Sequence, residues 1–261
     1  MTTDFPLALS VLIITLNEEH QMPTLLSDLD FASEIIVVDS FSTDGTAEVS
    51  KVFSKVKFYQ NKFENYAAQR NYALSLASND WVLFLDADER LTPELQNEIK
   101  TTLQNPAAVA YLFRRTFMFE NEILRFSGNQ TDKIFRLFNK KYAQYANDKL
   151  VHEKLHVQGK IAALRHRLIH YSYTDYNSYK AKTVRYGELK AQEKFLKNEK
   201  ALLGSSFFHP LYNFLYNYIA RLGFLDCKKG LIICYLNANS VRVRYQKLKQ
   251  LWQESNLPPK K

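Results

Sequence analysis

The run Trp81-Val82-Leu83-Phe84-Leu85 ends abruptly in Asp86, Asp88 and Glu89, three carboxylates within four positions. An uninterrupted run of strand-forming apolar residues reads as a strand buried on both faces, and hence as part of a parallel sheet. Polar side chains at its carboxyl end fall where open α/β sheets hold their ligands. Two carboxylates one residue apart can also hold a hard divalent cation, whose other positions accept phosphate oxygens. Taken alone, Asp-x-Asp at a strand end equally describes a solvated acidic turn, so the decision rests on the residues around it.

Two further apolar runs end the same way. Leu9 to Leu16 runs into Asn17-Glu18-Glu19, and Glu34-Ile35-Ile36-Val37-Val38 runs into Asp39-Ser40. Met22 to Leu29 fits a short helix between them, which makes a β-α-β unit with parallel strands. Phe41-Ser42-Thr43-Asp44-Gly45-Thr46 then reads as a turn leading into a helix that starts near Thr46. Three strands thus end in polar clusters along one edge.

These blocks, with Gln69-Arg70-Asn71 and Asp86-Ala87-Asp88-Glu89, follow one another in an order and spacing that resembles the family 2 glycosyltransferases. The resemblance covers the first ninety or so residues. It is similar most of all to the bacterial lipopolysaccharide core β-glucosyltransferases, a narrower match that adds Val151-His152-Glu153, Gly223-Phe224-Leu225-Asp226 and Tyr245-Gln246-Lys247-Leu248. The resemblance implies an α/β fold of the nucleotide-sugar-binding GT-A type, with a mostly parallel central sheet and a helical C-terminal extension. It implies a GT-A domain over 1–175, with a nucleotide-binding half (1–105) and an acceptor-side half (106–175), followed by a helical basic and aromatic extension over 176–261.

Moving a sugar from a nucleotide diphosphate requires a clamp for base and ribose, charge to neutralise the departing diphosphate, and a base for the incoming hydroxyl. The resemblance places Asp39 at the nucleobase or ribose, with Thr15, Asn17 and Glu18 at the neighbouring strand end lining the same pocket. Asp44 instead suits a cap on the following helix. Asp88 is the metal ligand by resemblance, Asp86 contacts ribose or the metal through water, and His170 completes the metal shell as histidines do in some GT-A enzymes. Mg2+ or Mn2+ follows from oxygen ligation. Arg70 has a planar fork that suits a phosphate, or equally an ion pair with Asp86 or Glu89 that holds the loop. Glu153 is the catalytic base by resemblance, although this chain has His152-Glu153 where many members have Glu-Asp. The donor is then a UDP-sugar, UDP-glucose first, and the acceptor a lipopolysaccharide core or other lipid-linked glycan, with a protein or capsular glycan as the alternative.

His152-Glu153-Lys154-Leu155-His156 also matches the H-E-x-x-H zinc-peptidase pattern. That chemistry needs the segment to be helical, so that both histidines face one metal. Val151, Leu155, Val157 and Ile161 around Gln158-Gly159-Lys160 read instead as a hairpin, with strands over 151–157 and 161–164.

At 261 residues the chain is long enough for one large α/β domain with an appendage, and its 16 Tyr, 18 Phe and formal charge of +8 point to an anionic partner. Nucleic acid is the least suitable, since no finger spacing, ribonucleoprotein motif or basic heptad helix is present. An anionic membrane face and a phosphorylated glycan both fit. Cys227 and Cys234 read as reduced thiols rather than a disulfide framework. No secretory leader and no apolar run of about eighteen residues is seen, which leads to the expectation of a cytoplasmic protein, either free in the cytosol or peripheral on the cytoplasmic face of the inner membrane. From Tyr176 the pattern turns helical, strongly aromatic over 202–224 and basic over 229–252.

Overall fold

The computed structural model describes residues 7–146, 154–173 and 175–255. Strands β1 (Leu7–Thr15), β2 (Ala32–Asp39), β3 (Val56–Gln60), β4 (Trp81–Leu85) and β5 (Glu89–Arg90) alternate with helices α1 (Met22–Ser27), α2 (Thr46–Lys51), α3 (Tyr66–Leu76) and α4 (Pro93–Gln104). Strands β6 (Ala110–Phe119), β7 (Glu122–Leu124), β8 (Lys133–Asn139), β9 (Ala143–Tyr145), β10 (Leu155–Val157) and β11 (Ile161–Tyr173) follow. Helices α5 (Tyr176–Leu196), α6 (Ser205–Leu215) and α7 (Cys227–Ser255) complete the chain. By internal contacts it divides into two compact units: the residues up to Arg115 with Lys133–His170, and Thr116–Asp132 with the residues from Tyr171 on.

In the first unit the strand order is β3-β2-β1-β4-β8-β6-β11-β5. The sheet is mixed. The expected parallel block is β3-β2-β1-β4, and the described pairings beyond β4, namely β4 with β8, β8 with β6 and β11 with β5, are antiparallel. The parallel block shows why its central strands are largely apolar. Leu9, Val11 and Ile13 pack on one face with Met22, Leu25, Leu95 and Ile99 from α1 and α4. Leu12, Ile36, Val38 and Phe84 pack on the other with Ala67, Ala73 and Leu74 of α3. Helices on both faces leave few positions on β1, β2 and β4 where a polar side chain would reach water.

Local chemistry sets the helix starts. The Asn65 side chain accepts from Ala68 N at 2.8 Å to begin α3, and Thr92 caps Leu95 N ahead of Pro93 in α4. At the amino ends of the parallel strands, Glu34 of β2 is buried and accepts from Ser10 Oγ (2.5 Å), Ser78 N (2.6 Å) and Lys57 Nζ (2.7 Å). That one carboxylate joins β1, β2, β3 and the approach to β4.

The expected hairpin over 151–164 does not form. β10 pairs antiparallel with β9, and β11 joins the main sheet, running from Ile161 to Tyr173. The reason lies in the turn. Lys160 O accepts from Val109 N at 2.9 Å, and Gly159 (φ +134°) lies so close to Val109 that an added Cβ would sit 2.8 Å from its side chain. The Gln158-Gly159-Lys160 turn therefore docks against the start of β6 and sends β11 into the sheet.

In the second unit Phe117 and Phe119 at the end of β6, Leu124 of β7, Tyr179 of α5 and Ile233 and Leu236 of α7 share one core. α5 and α7 are stitched by Tyr179 Oη donating to Asn237 Oδ1 (2.5 Å) and Ser240 Oγ donating to Thr183 O (2.7 Å).

Candidate active site

The register sets the carboxyl ends of β1, β2 and β4 side by side. Thr15 pairs with Asp39, and Ile13 with Leu85, so residues 15–18, 39–46 and 86–89 emerge together. The first two loops are laced to each other. Asn17 Oδ1 accepts from Thr43 N (2.8 Å), Asn17 N donates to Ser42 Oγ (2.8 Å), and Glu18 N donates to Thr46 Oγ1 (2.8 Å). Gly45 N donates to the Glu19 carboxylate at 3.0 Å, an approach that a Cβ at Gly45 would block at 2.8 Å. Asp44 accepts from Thr46 N at 3.1 Å and so organises the start of α2.

Asp39 is fully buried and accepts from Ser42 N (2.9 Å), Ser42 Oγ and Gln60 Nε2 (3.3 Å). Thr15 Oγ1 is buried with no hydrogen-bond partner among the described residues, a vacancy that polar groups in a finished interior rarely show. Asn17 (φ 56°) and Phe41 (φ 62°) both lie in the left-handed region, where an aromatic residue is an outlier. Strain of this kind concentrates at functional sites.

The third loop is held by arginines. Arg70 of α3 donates Nη2 to Asp86 Oδ1 at 3.0 Å, and Arg136 of β8 donates Nη2 to both Asp86 Oδ2 and Glu89 Oε1, the latter at 2.6 Å. Arg115 of β6 lies 3.5 Å from Glu89 Oε1, and Glu89 Oε2 accepts from Asp86 N at 3.1 Å. Burial works to raise the Asp86 carboxyl, but the Arg136 and Arg70 guanidiniums outweigh it and hold it well below the usual carboxylate range. Burial likewise opposes the charge on Arg136, and the Asp86 and Glu89 carboxylates more than restore it. Of the two roles open to Arg70 in the sequence, the structure displays the ion pair with Asp86. Arg115 and Arg136 were not among the sequence candidates. The signal for Arg136 was available in Lys133-Ile134-Phe135-Arg136-Leu137-Phe138, because a guanidinium within a buried strand must find carboxylates.

Asp88 and His170 come together, with His170 Nε2 3.2 Å from Asp88 Oδ1. His170 sits on β11, paired with Glu89 of β5, and that pairing delivers it. Arg115 Nη1 lies 3.2 Å from His170 Nδ1. A guanidinium only donates, so Nδ1 accepts and the ring proton points from Nε2 to Asp88. One carboxylate oxygen and one imidazole nitrogen are ligand types that fit a divalent cation whose remaining ligands are phosphate and water, and His170 would ligate through Nε2 as the tautomer that carries its proton on Nδ1. Among the described residues no group of three or more His, Cys, Asp or Glu is arranged to hold a metal.

Glu153 and His152 lie outside the described residues. His156 is exposed on β10, opposite Gln144, which removes the helix that the zinc-peptidase alternative requires. In the second unit, Cys227 is exposed and Cys234 buried, both as thiols, with Cys234 near Ser127 Oγ at 3.4 Å and burial raising its pKa.

Known proteins resemble this chain in sequence. The chain is 31% identical to an uncharacterized glycosyltransferase of Rickettsia typhi over 74% of its own length and 70% of that protein. It is 26% identical to the lipopolysaccharide core biosynthesis glycosyltransferase LpsC of Rhizobium meliloti over 92% of its length and 93% of that protein. The crystal structure of S. aureus TarS superposes with a TM-score of 0.48 at 16% identity, over 93% of this chain and 55% of that one, a likeness too distant to bear on function. The family model for glycosyl transferase family 2 matches residues 10–173, which span the whole site described above. The mixed sheet with its helical C-terminal region is the GT-A fold implied by the resemblance, and the chain belongs to the family 2 glycosyltransferases.

Proposed function

We propose that the chain is an inverting transferase that moves a sugar, glucose first, from a UDP-sugar to a lipopolysaccharide core or other lipid-linked glycan. The observation that carries this reading is the convergence of Asp88 and His170 at the rim where β1, β2 and β4 end. The likeness to LpsC along almost the full length of both chains supports the acceptor class.

In this reading residues 1–105 bind the donor, with Asp39, Thr15, Asn17 and Glu18 around base and ribose. Residues 106–175 shape the acceptor side. Asp88 and His170 would hold Mg2+ or Mn2+, which when bound supplies positive charge opposite the leaving diphosphate. Arg70, Arg115 and Arg136 bind the Asp86 and Glu89 carboxylates and hold the loop between them fixed, so Asp88 is presented without reorganisation. Glu153 takes the proton of the acceptor hydroxyl as its oxygen attacks the anomeric carbon in line and the diphosphate departs from the opposite side. A lipid-linked acceptor places the reaction at a membrane face, the cytoplasmic face of the inner membrane in this proposal.

Two measurements test it. A screen of nucleotide sugars with Mn2+ should raise the melting temperature most for UDP-sugars, since ligands that bind only the native state stabilise it. Asp88→Ala and Glu153→Gln should each lower sugar transfer by about a hundredfold or more while leaving the melting temperature of the ligand-free protein within about 2 °C. Full turnover in Asp88→Ala would remove the basis of the proposal.

A further inference from the structure

α6 leaves its aromatic side in water. Phe207 and Phe208 are each 65% exposed and Tyr212 is 67% exposed, and Leu211, Leu215 and Ile219 continue the same surface into the π-helical turn Tyr216–Ala220. The spacing is that of a broad helical stripe, while the far side of α6 packs on α7. A contiguous exposed face of this size and composition marks an interaction surface.

Charge identifies the partner. From Lys200 to Gln253 the sequence has eight lysines and arginines against one acid, so this stretch holds almost the whole formal excess of +8. The single acid, Asp226, is turned inward and accepts from Arg125 N (3.1 Å) and Phe126 N (2.9 Å). Lys228, Arg242 and Lys249 are exposed, and none of the three forms an ion pair among the described residues. An aromatic helix lying on a basic one, with Tyr hydroxyls among the rings, has the make-up of a segment that beds into the headgroup boundary of an anionic bilayer. No helix of the described residues is long and apolar enough to cross a membrane, so the mode is to lie on it.

We infer that the outward face of α6, backed by the basic helix α7, is a docking surface for an anionic lipid bilayer. The inference goes beyond the transfer reaction and depends on neither donor nor acceptor. The face anchors by ring burial, and the cations of α7 add attraction that salt weakens.

The test is flotation of the full chain, without substrates, with vesicles of phosphatidylethanolamine plus phosphatidylglycerol and, separately, of phosphatidylcholine alone. The chain should float with the anionic vesicles and less so at high ionic strength. The combined variant Phe207→Ser, Phe208→Ser, Tyr212→Ser should lower the bound fraction about tenfold or more with a melting temperature within a few degrees of the parent's, because about two thirds of each side chain already lies in water. Should that variant misfold, Lys228→Gln, Arg242→Gln, Lys249→Gln should abolish the preference for anionic vesicles. Absence of binding to the anionic vesicles, or equal binding by a folded aromatic variant, overturns the inference. So does concentration-dependent dimerisation abolished by the aromatic variant without vesicle binding, which would assign the face to a second copy of the chain.

Discussion

A guanidinium as enclosed as that of Arg136, 1% exposed, is tolerated because Asp86 and Glu89 reach it from one loop while Arg70 and Arg115 balance the two carboxylates from outside. Taking away one member of such a buried group leaves uncompensated charge, and the loss is typically about 3–5 kcal/mol. Arg136→Met should therefore lower the urea midpoint by an amount corresponding to about 3 kcal/mol, whereas Asp88→Ala, at the more open rim, should not. A variant of Arg136 that unfolds at the wild-type midpoint would show that the network contributes nothing net. At this scale the sequence displayed Asp39, Asp86 and Asp88 as strand-end residues, because strand ends are local. It left Arg70 with two partners open, and Arg115 unnoticed, because an ion pair is decided by which strands become neighbours. Asp44 shows the opposite case: its role at the start of α2 was legible from two residues of separation.

Among the elements, α5 and α7 approach closely at Gly187, where a Cβ would stand 2.6 Å from Ser240 O. Helix propensity favours alanine over glycine by about 1 kcal/mol. Here the added methyl meets backbone, which cannot rotate aside, so overpacking of about 1–3 kcal/mol should win. Gly187→Ala is expected to lower the melting temperature by several degrees, read by circular dichroism; a rise would show that the two helices can move apart. The elements themselves were largely readable. The parallel strands, the helices starting at Thr46, Pro93 and Tyr176, and the long basic helix follow hydrophobic period and capping residues. The misread element was the 151–164 hairpin. Its turn residues suited a hairpin, but a turn specifies only that the chain reverses, and the bond from Val109 N to Lys160 O decided where the next strand went.

The molecule as a whole should be sensitive to acid. The carboxyls of Glu34, Asp44, Asp86, Glu94, Glu98 and Glu193 are all displaced downward. Glu34 illustrates the sign. Burial opposes its charge, but Lys57, Ser10 and Ser78 prevail and bring it to about 2 from 4.5. The unfolded chain then binds more protons than the folded one at low pH, so stability is fully present above about pH 4.5 and drains away as the pH falls toward 2. Glu34→Gln should show a flatter acid limb in melting temperature against pH; an unchanged limb would assign the acid response to other groups. Read along the chain alone, apolar period and turn chemistry were enough for the α/β class and for three strands that end side by side, and the resemblance of the ordered motifs was enough for the family, since each is written within a few residues. The arginine lock on Asp86 and Glu89, and the path of β11 that carries His170 to the Asp88 beside which the resemblance had put it, came only with the folded chain. Their partners lie far apart in sequence, 50 and 47 residues for the two bonds from Arg136, and only the lateral order of strands brings such residues within hydrogen-bond reach.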